Sequence, residues 1–297
     1  MNRIPIGATL DDAYRFFFRN FLAIVGTAWF PALVFATLVG AFLIALVPHG
    51  WQLPQTVEPE GFADFLRPRL HLLFLSMPVI AISGLLAGAM IKVGILERAL
   101  GLRTGRTLFY FSLGAPVWRM AAVSLVNFLV LLVLMVIEII AAVALHHAVA
   151  AQVSSGWVIL FNIVQVIGWI ALFVYCNVRL FFFLPAVVVA EQRLGLARSW
   201  SLGGGNVGRA IVVFLAVVLP VGFVTSMIGN GLMMPVLGDH LLQINGQPDP
   251  AVLGRFFAAL LPLIPVMVGV HLVGALVVTG TLMGGIARAY KAVAGAE

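Results

Sequence analysis

The 297-residue chain carries little charge: Asp, Glu, Lys and Arg together make up 9% of it. Soluble domains carry about 25%, so this chain could not cover a water-facing surface. Cysteine is almost missing as well. The one cysteine, Cys176, lies in an apolar run and can form no internal disulfide, so no cysteine framework marks a fold or a redox compartment. No polar block is long enough to make a soluble domain; the longest polar loop covers residues 48–69. Metal-ligand spacing is absent. His49, His71, His240 and His271 are scattered, and the neighbours His146 and His147 point to different helix faces. No metal or cofactor is therefore expected. Ser199 lacks the G-x-S-x-G or Ser-His-Asp setting of a nucleophile. Gly203-Gly204-Gly205 follows no strand and precedes no Gly-Lys-Ser/Thr, so it predicts a hinge, not a phosphate cradle. The N-terminus has Pro5, Asp11 and Asp12 and no small-residue cleavage site. It does not read as a signal peptide, and the first apolar run is expected to stay as a span.

What the chain does have is apolar length. Apolar residues make up 62% of it and the mean hydropathy is +1.12. A membrane span takes about 20 such residues at about 1.5 Å of rise each. Six runs qualify: residues 21–47, 70–96, 120–145, 157–184, 210–237 and 256–287. The prediction is an all-α integral membrane protein with six transmembrane helices, in one polytopic domain over residues 1–297. Lys and Arg set its orientation. On one side lie Arg3, Arg15, Arg19, Arg98, Arg103, Arg106, Arg119, Arg193, Arg198, Arg209, Arg288 and Lys291; on the other lie only Arg67, Arg69 and Arg255. The positive-inside rule then puts both termini in the cytoplasm. The net charge of +6 is read as this orientation signal, so no nucleic-acid partner is expected.

The stretch from Val178 to Arg209 organises the chain. It runs from Arg179 through Pro185 and a short apolar patch, then through a charged segment from Glu191 to Arg198. Ser199, Trp200 and the glycine hinge follow. It reads as a cytoplasmic turn between two spans, with an interfacial helix lying along the headgroups. Trp200 is taken as an anchor at headgroup depth, and Asn206 as the N-cap of the fifth span. The string E-R-A-L-G-L-R at Glu97 resembles E-Q-R-L-G-L-A-R at Glu191, and each leads to Ser-Leu-Gly and then to Arg119 or Arg209. A weaker third copy is amphipathic, with Tyr14, Phe17, Phe18 and Phe21 set against Asp11, Asp12, Arg15 and Arg19. The expected unit is an amphipathic elbow helix plus a hairpin of two spans, used three times.

The pattern R-x5-P-A-V-V-V-A-E-x-x-x-G-L-x-x-S-W-S-L-x-x-G-N resembles a bacterial membrane-domain family. That family is named after glycerophosphoryl diester phosphodiesterase, because some members are fused to the enzyme. The resemblance rests on Arg179, Pro185, Glu191, Ser199, Trp200, Gly205 and Asn206, with F-F-F-R-N-F-L at residues 16–22 in support. The family has a polar or basic residue between its Ser-Trp and Gly-Asn pairs, where this chain has Leu202, Gly203 and Gly204. The resemblance implies a membrane domain and brings no phosphodiesterase, since that needs a soluble barrel with clustered carboxylates.

Four intramembrane polar residues are candidates for function. Arg179 reads either as a site for an anionic headgroup or substrate, or as a side chain snorkelling to the interface from near a span's end. Glu138 lies in the outer half of the third span. The fourth span brings Asn162 and Gln165 near its level, so a Glu138–Gln165–Asn162 cluster is expected. It would be a proton or cation site, or a protonated glutamate joining two helices. Lys92 is explained by snorkelling. The functional expectation is a non-enzymatic accessory or scaffold protein of the bacterial inner membrane, binding lipids or a membrane-protein partner. The alternative is a small transporter or lipid-translocating protein using Glu138 and Arg179. An enzyme acting on lipids is the weakest reading, because no paired acid/base or metal site is present.

Overall fold

The computed structural model describes residues 2–46, 70–105, 107–150, 155–241 and 259–295. The polar loop at residues 48–69 lies outside them, and so do Arg67, Arg69 and Arg255. Arg106 and the side chains of Asn162, His146 and His147 are also outside the description.

Helices account for the architecture, and no strand occurs among the described residues. They are α1 (Ile6–Arg19), α2 (Phe21–Leu46), α3 (Leu70–Ala99), α4 (Ala115–Ala150) and α5 (Ser155–Phe181). Next come two short helices, α6 (Leu184–Ala190) and α7 (Leu196–Gly203), then α8 (Val207–Leu241) and α9 (Ile264–Ala294). Six stretches are long and apolar enough to cross a membrane: Phe21–Phe42, Phe74–Ala99, Ala115–Ala144, Ile163–Ala190, Val207–Val236 and Ile264–Ala294. The protein is thus a multi-pass, all-helical membrane protein with the six spans expected. Pro31, Pro78, Pro220 and Pro235 sit inside the long helices. Membrane helices tolerate them because neighbours can satisfy the freed carbonyls.

The spans close a ring. α2 packs on α3, α3 on α4, α4 on α5, α5 on α8 and α8 on α9, and α9 returns to α2 and α3. An even number of crossings brings both termini to one end, which we call the base. The core is gathered there. It joins Ile24 of α2, Val93 and Leu96 of α3, and Val117 and Met120 of α4. Val213 of α8 and Ile286 and Tyr290 of α9 complete it. Toward the other end, Val133, Ile140, Phe223, Met227, Met234 and Val273 are exposed. Lipid tails are as apolar as these side chains, so no hydrophobic force draws the outer halves together.

α1 lies against α9 and α8. Thr9, Ala13 and Phe17, four residues apart, turn inward, while Arg15 and Asp11 pair on the outer face at 2.9 Å. The groove exists because α9 offers glycines. A methyl group on Gly280 would lie 2.7 Å from the Phe17 ring, and one on Gly284 would lie 2.7 Å from the Phe16 ring.

Two expectations about the elbows change. The apolar patch after Pro185 does not lie along the headgroups. It forms α6, whose Leu184, Ala186, Val187, Val188 and Val189 are buried against α3, α4 and α9 at the centre of the base. Only α7, with its charged and aromatic residues, is at the surface. The middle elbow is not a helix: residues 100–105 and 107–114 are irregular. The matching strings do share a backbone feature. Gly101 has φ +81° and Gly195 has φ +51°, a left-handed turn at the same offset from the glutamate. At Gly101 it ends α3, with Leu102 N–H donating to Glu97 O at 2.8 Å and Gly101 N–H to Arg98 O at 3.1 Å. At Gly195 it opens α7. The same string therefore closes one helix and starts another.

Candidate functional site

The Val178–Arg209 stretch is built around Glu191, the C-cap of α6. Pro185 occupies the first turn of α6, where its missing N–H leaves no bond unmade. This lets the chain break after α5 and aim α6 into the core. Glu191 Oε1 accepts from Tyr290 Oη at 2.9 Å and from Arg198 Nε at 3.2 Å, and Oε2 accepts from Arg193 Nε at 2.8 Å. Burial alone would raise its pKa, but the bonds from Arg193, Tyr290 and Arg198 together outweigh burial and hold the carboxyl below its usual value. One carboxylate thereby joins α6, α7 and α9.

Ser199 is fully buried, and its hydroxyl donates to Leu180 O at 2.7 Å, tying α7 to the end of α5. Trp200, one residue on, faces Arg179: the guanidinium carbon stands 4.0 Å from the indole centroid. Arg179 Nη1 also donates to Tyr175 Oη, one turn earlier on α5. Arg179 lies in the last turn of α5, at the end that meets α6.

Gly205, with φ +74°, makes the turn into α8. Asn206 occupies the expected N-cap position, and its backbone oxygen accepts from Ala210 N–H at 2.8 Å. Its side chain does something else. Oδ1 accepts from Ile4 N–H at 3.0 Å, and Nδ2 donates to Asn2 O at 3.2 Å. Arg209 Nη1 donates to Ile4 O at 2.7 Å. The N-terminal segment is held as though paired with another peptide, and Ile4 is fully buried.

The expected outer cluster is not brought together in the same way. Glu138 and Gln165 are half-buried on α4 and α5, but no hydrogen bond joins them among the described residues. The side chain of Asn162 lies outside the described residues. The polar link seen between these helices is nearer the base, where Asn177 Nδ2 donates to Asn127 Oδ1 at 3.1 Å. That pair was missed in the sequence, although both asparagines stand in apolar runs. Tyr290 and Tyr175 were missed too, as were the contacts of Asn206 with residues 2–4. No group of three or more His, Cys, Asp or Glu residues that could hold a metal occurs among the described residues.

The irregular α3–α4 elbow packs across α2. Trp29 Nε1 donates to Leu108 O at 2.7 Å, and Arg98 Nη2 donates to Thr107 Oγ1 at 2.9 Å and to Gly105 O. Tyr110 is buried below Arg103, whose guanidinium carbon is 4.7 Å from the ring centroid. Burial first, then the charge of Glu97, pushes the Tyr110 pKa up to about 12, against the pull of Arg103. No protein family, curated protein or solved structure matches the chain.

Proposed function

We propose that this is a non-enzymatic accessory or scaffold protein of the bacterial inner membrane. It would have both termini in the cytoplasm and hold a membrane-protein partner or organise lipid through its base. One observation carries the reading. The elbow residues that looked most like a site are committed to internal contacts: Glu191 to α7 and α9, Ser199 to α5, Asn206 to the N-terminal segment. Together they make a firm platform. Around it, Phe18, Leu22, Leu102, Leu108, Trp118 and Trp200 are exposed, an apolar rim suited to the headgroup boundary or to a partner at that depth. The resemblance to stand-alone phosphodiesterase-associated membrane domains agrees with a role without catalysis.

The transporter reading is supported by one observation, the half-buried Glu138 on α4 without a described partner. Arg179 does not share its site. Glu138 is 23 residues beyond the first residue of α4, roughly 34 Å of helix rise from the base. The test is purification in mild detergent after crosslinking in native membranes, with proteins and lipids identified together. Trp200→Ala combined with Gly204→Leu should lose the retained partner or lipid at unchanged abundance, while Glu138→Gln retains it. The reverse pattern would replace the scaffold by the transporter.

A further inference from the structure

We propose that Arg179, Tyr175 and Trp200 form a binding site for the phosphate of an anionic phospholipid at the cytoplasmic boundary of the membrane. This rests on the lipid-organising part of the reading above and names the lipid chemistry and the residues. The argument begins with charge. At the base, Asp11 pairs with Arg15, Asp12 with Arg288, Glu97 with Arg103, and Glu191 with Arg193 and Arg198. Each of these carboxylates already serves another arginine. Arg179 has no carboxylate in reach among the described residues, and its buried Nε has no hydrogen-bond partner. A half-buried guanidinium at the end of a span, without a carboxylate beside it, offers its charge to an anion. The α5 C-terminus supplies a fraction of a counter-charge through its carbonyl dipoles.

The guanidinium is nonetheless held in place. Its face lies on Trp200, 4.0 Å from the centroid, and Nη1 donates to the Tyr175 hydroxyl. As an acceptor in that bond, Tyr175 keeps its own O–H proton free to donate. Tyr175 is 39% exposed and Trp200 41% exposed, so the pair is open on its outer side. A fixed cation, a phenol donor and an indole at the end of a span match a phosphodiester with tails running alongside α5. A lipid whose headgroup carries its own ammonium would neutralise its phosphate internally and gain less from Arg179.

The test uses the full chain in detergent, titrated with phosphatidylglycerol or phosphatidylcholine of identical acyl chains, with bound lipids counted by native mass spectrometry. Wild type should prefer phosphatidylglycerol. Arg179→Gln should weaken that binding about tenfold or more, the scale of a lost charge-assisted bond, with phosphatidylcholine unaffected. Arg193→Gln, whose side chain is already paired at the surface, should change neither. Equal retention of the two lipids by wild type overturns the proposal, and so does unchanged phosphatidylglycerol binding by Arg179→Gln. Inorganic phosphate competing as strongly as the lipid overturns the lipid as the source of the anion. If Arg179→Gln does not elute as a monodisperse species, Tyr175→Phe with Trp200→Leu serves instead, and unchanged binding by that protein is equally fatal. Loss of the preference in Arg179→Gln with partner retention intact leaves both proposals standing. A partner retained after elbow disruption sinks the scaffold reading and leaves the lipid comparison valid.

Discussion

Glu191 shows how one residue sets the geometry of the base. Its carboxylate meets groups from two other helices, and the worth of each contact differs. The Arg193 side chain is 60% exposed, so its ion pair adds little in water. The bonds from Tyr290 and Arg198 are better shielded and matter more. Glu191→Gln should therefore destabilise the protein by about 1–3 kcal/mol at neutral pH, read as a lower unfolding midpoint in a fixed detergent. The pH dependence has a definite sign. The folded carboxyl sits below its ordinary value of 4.5, so its stabilisation is fully present above about pH 4.5. It is lost as the pH falls through the folded value. The gap between wild type and Glu191→Gln should thus hold from pH 7 to 5 and close on further acidification. A gap that widens in acid would mean that Glu191 is bound as the neutral acid. Glu191 itself was legible in the sequence, from its place in a charged segment after an apolar run. Tyr290 was not, because it lies 99 residues away and only the packing of α9 against α6 brings it near. Asn206 repeats the lesson. Its cap position followed from local pattern, whereas its bonds to Asn2 and Ile4 span more than 200 residues.

Among the elements, the long spans were readable because length and apolarity alone decide them. The α1 elbow was readable because its amphipathic pattern matches helical spacing. The α3–α4 elbow was misjudged for a physical reason. Its likeness to the later elbow lies in the left-handed glycine, and a left-handed glycine serves a helix end as well as a helix start. What fixes its path is contact with α2. A methyl group on Gly26 would stand 1.9 Å from the Thr107 carbonyl oxygen, and one on Gly94 would stand 2.5 Å from Thr27 Cγ2. The first neighbour is backbone and cannot rotate away. Gly26→Ala should accordingly force the elbow off α2 and cost about 1–3 kcal/mol or more, as overpacking does. Gly40→Ala, in the same helix with nothing within 4 Å of the added methyl, is the control and should be neutral or slightly stabilising. Gly280→Ala should fall between them, because the Phe17 ring it meets belongs to a side chain and can shift. Unfolding midpoints of the three variants in one detergent would rank them. A Gly26→Ala protein as stable as Gly40→Ala would show that the elbow does not rest on α2.

The whole molecule is firm at one end and open at the other, and this asymmetry follows from its solvent. Near the base, α6 enters the ring of spans and α1, α7 and the α3–α4 elbow pack against it, so a buried core forms there inside an exposed apolar rim. Farther out, only the spans remain, and lipid is as good a neighbour as another helix. This difference was not legible beforehand, since the spans are apolar along their whole length; α6, the plug that makes the difference, looked like any short apolar patch. The asymmetry predicts where the molecule tolerates change. Leu96 is fully buried in the base, and Leu96→Ala should cost about 2–5 kcal/mol, the range for a leucine removed from a packed core. Ile140, on the outer half of α4, is 63% exposed. Ile140→Ala trades a lipid contact for a smaller one and should stay within about 0.5 kcal/mol of wild type. Both would be measured by reversible unfolding in the same micelle. An Ile140→Ala protein that falls as far as Leu96→Ala would mean that the outer half of α4 is packed against protein in the native assembly. A second copy of the chain or a partner would then sit where lipid is expected.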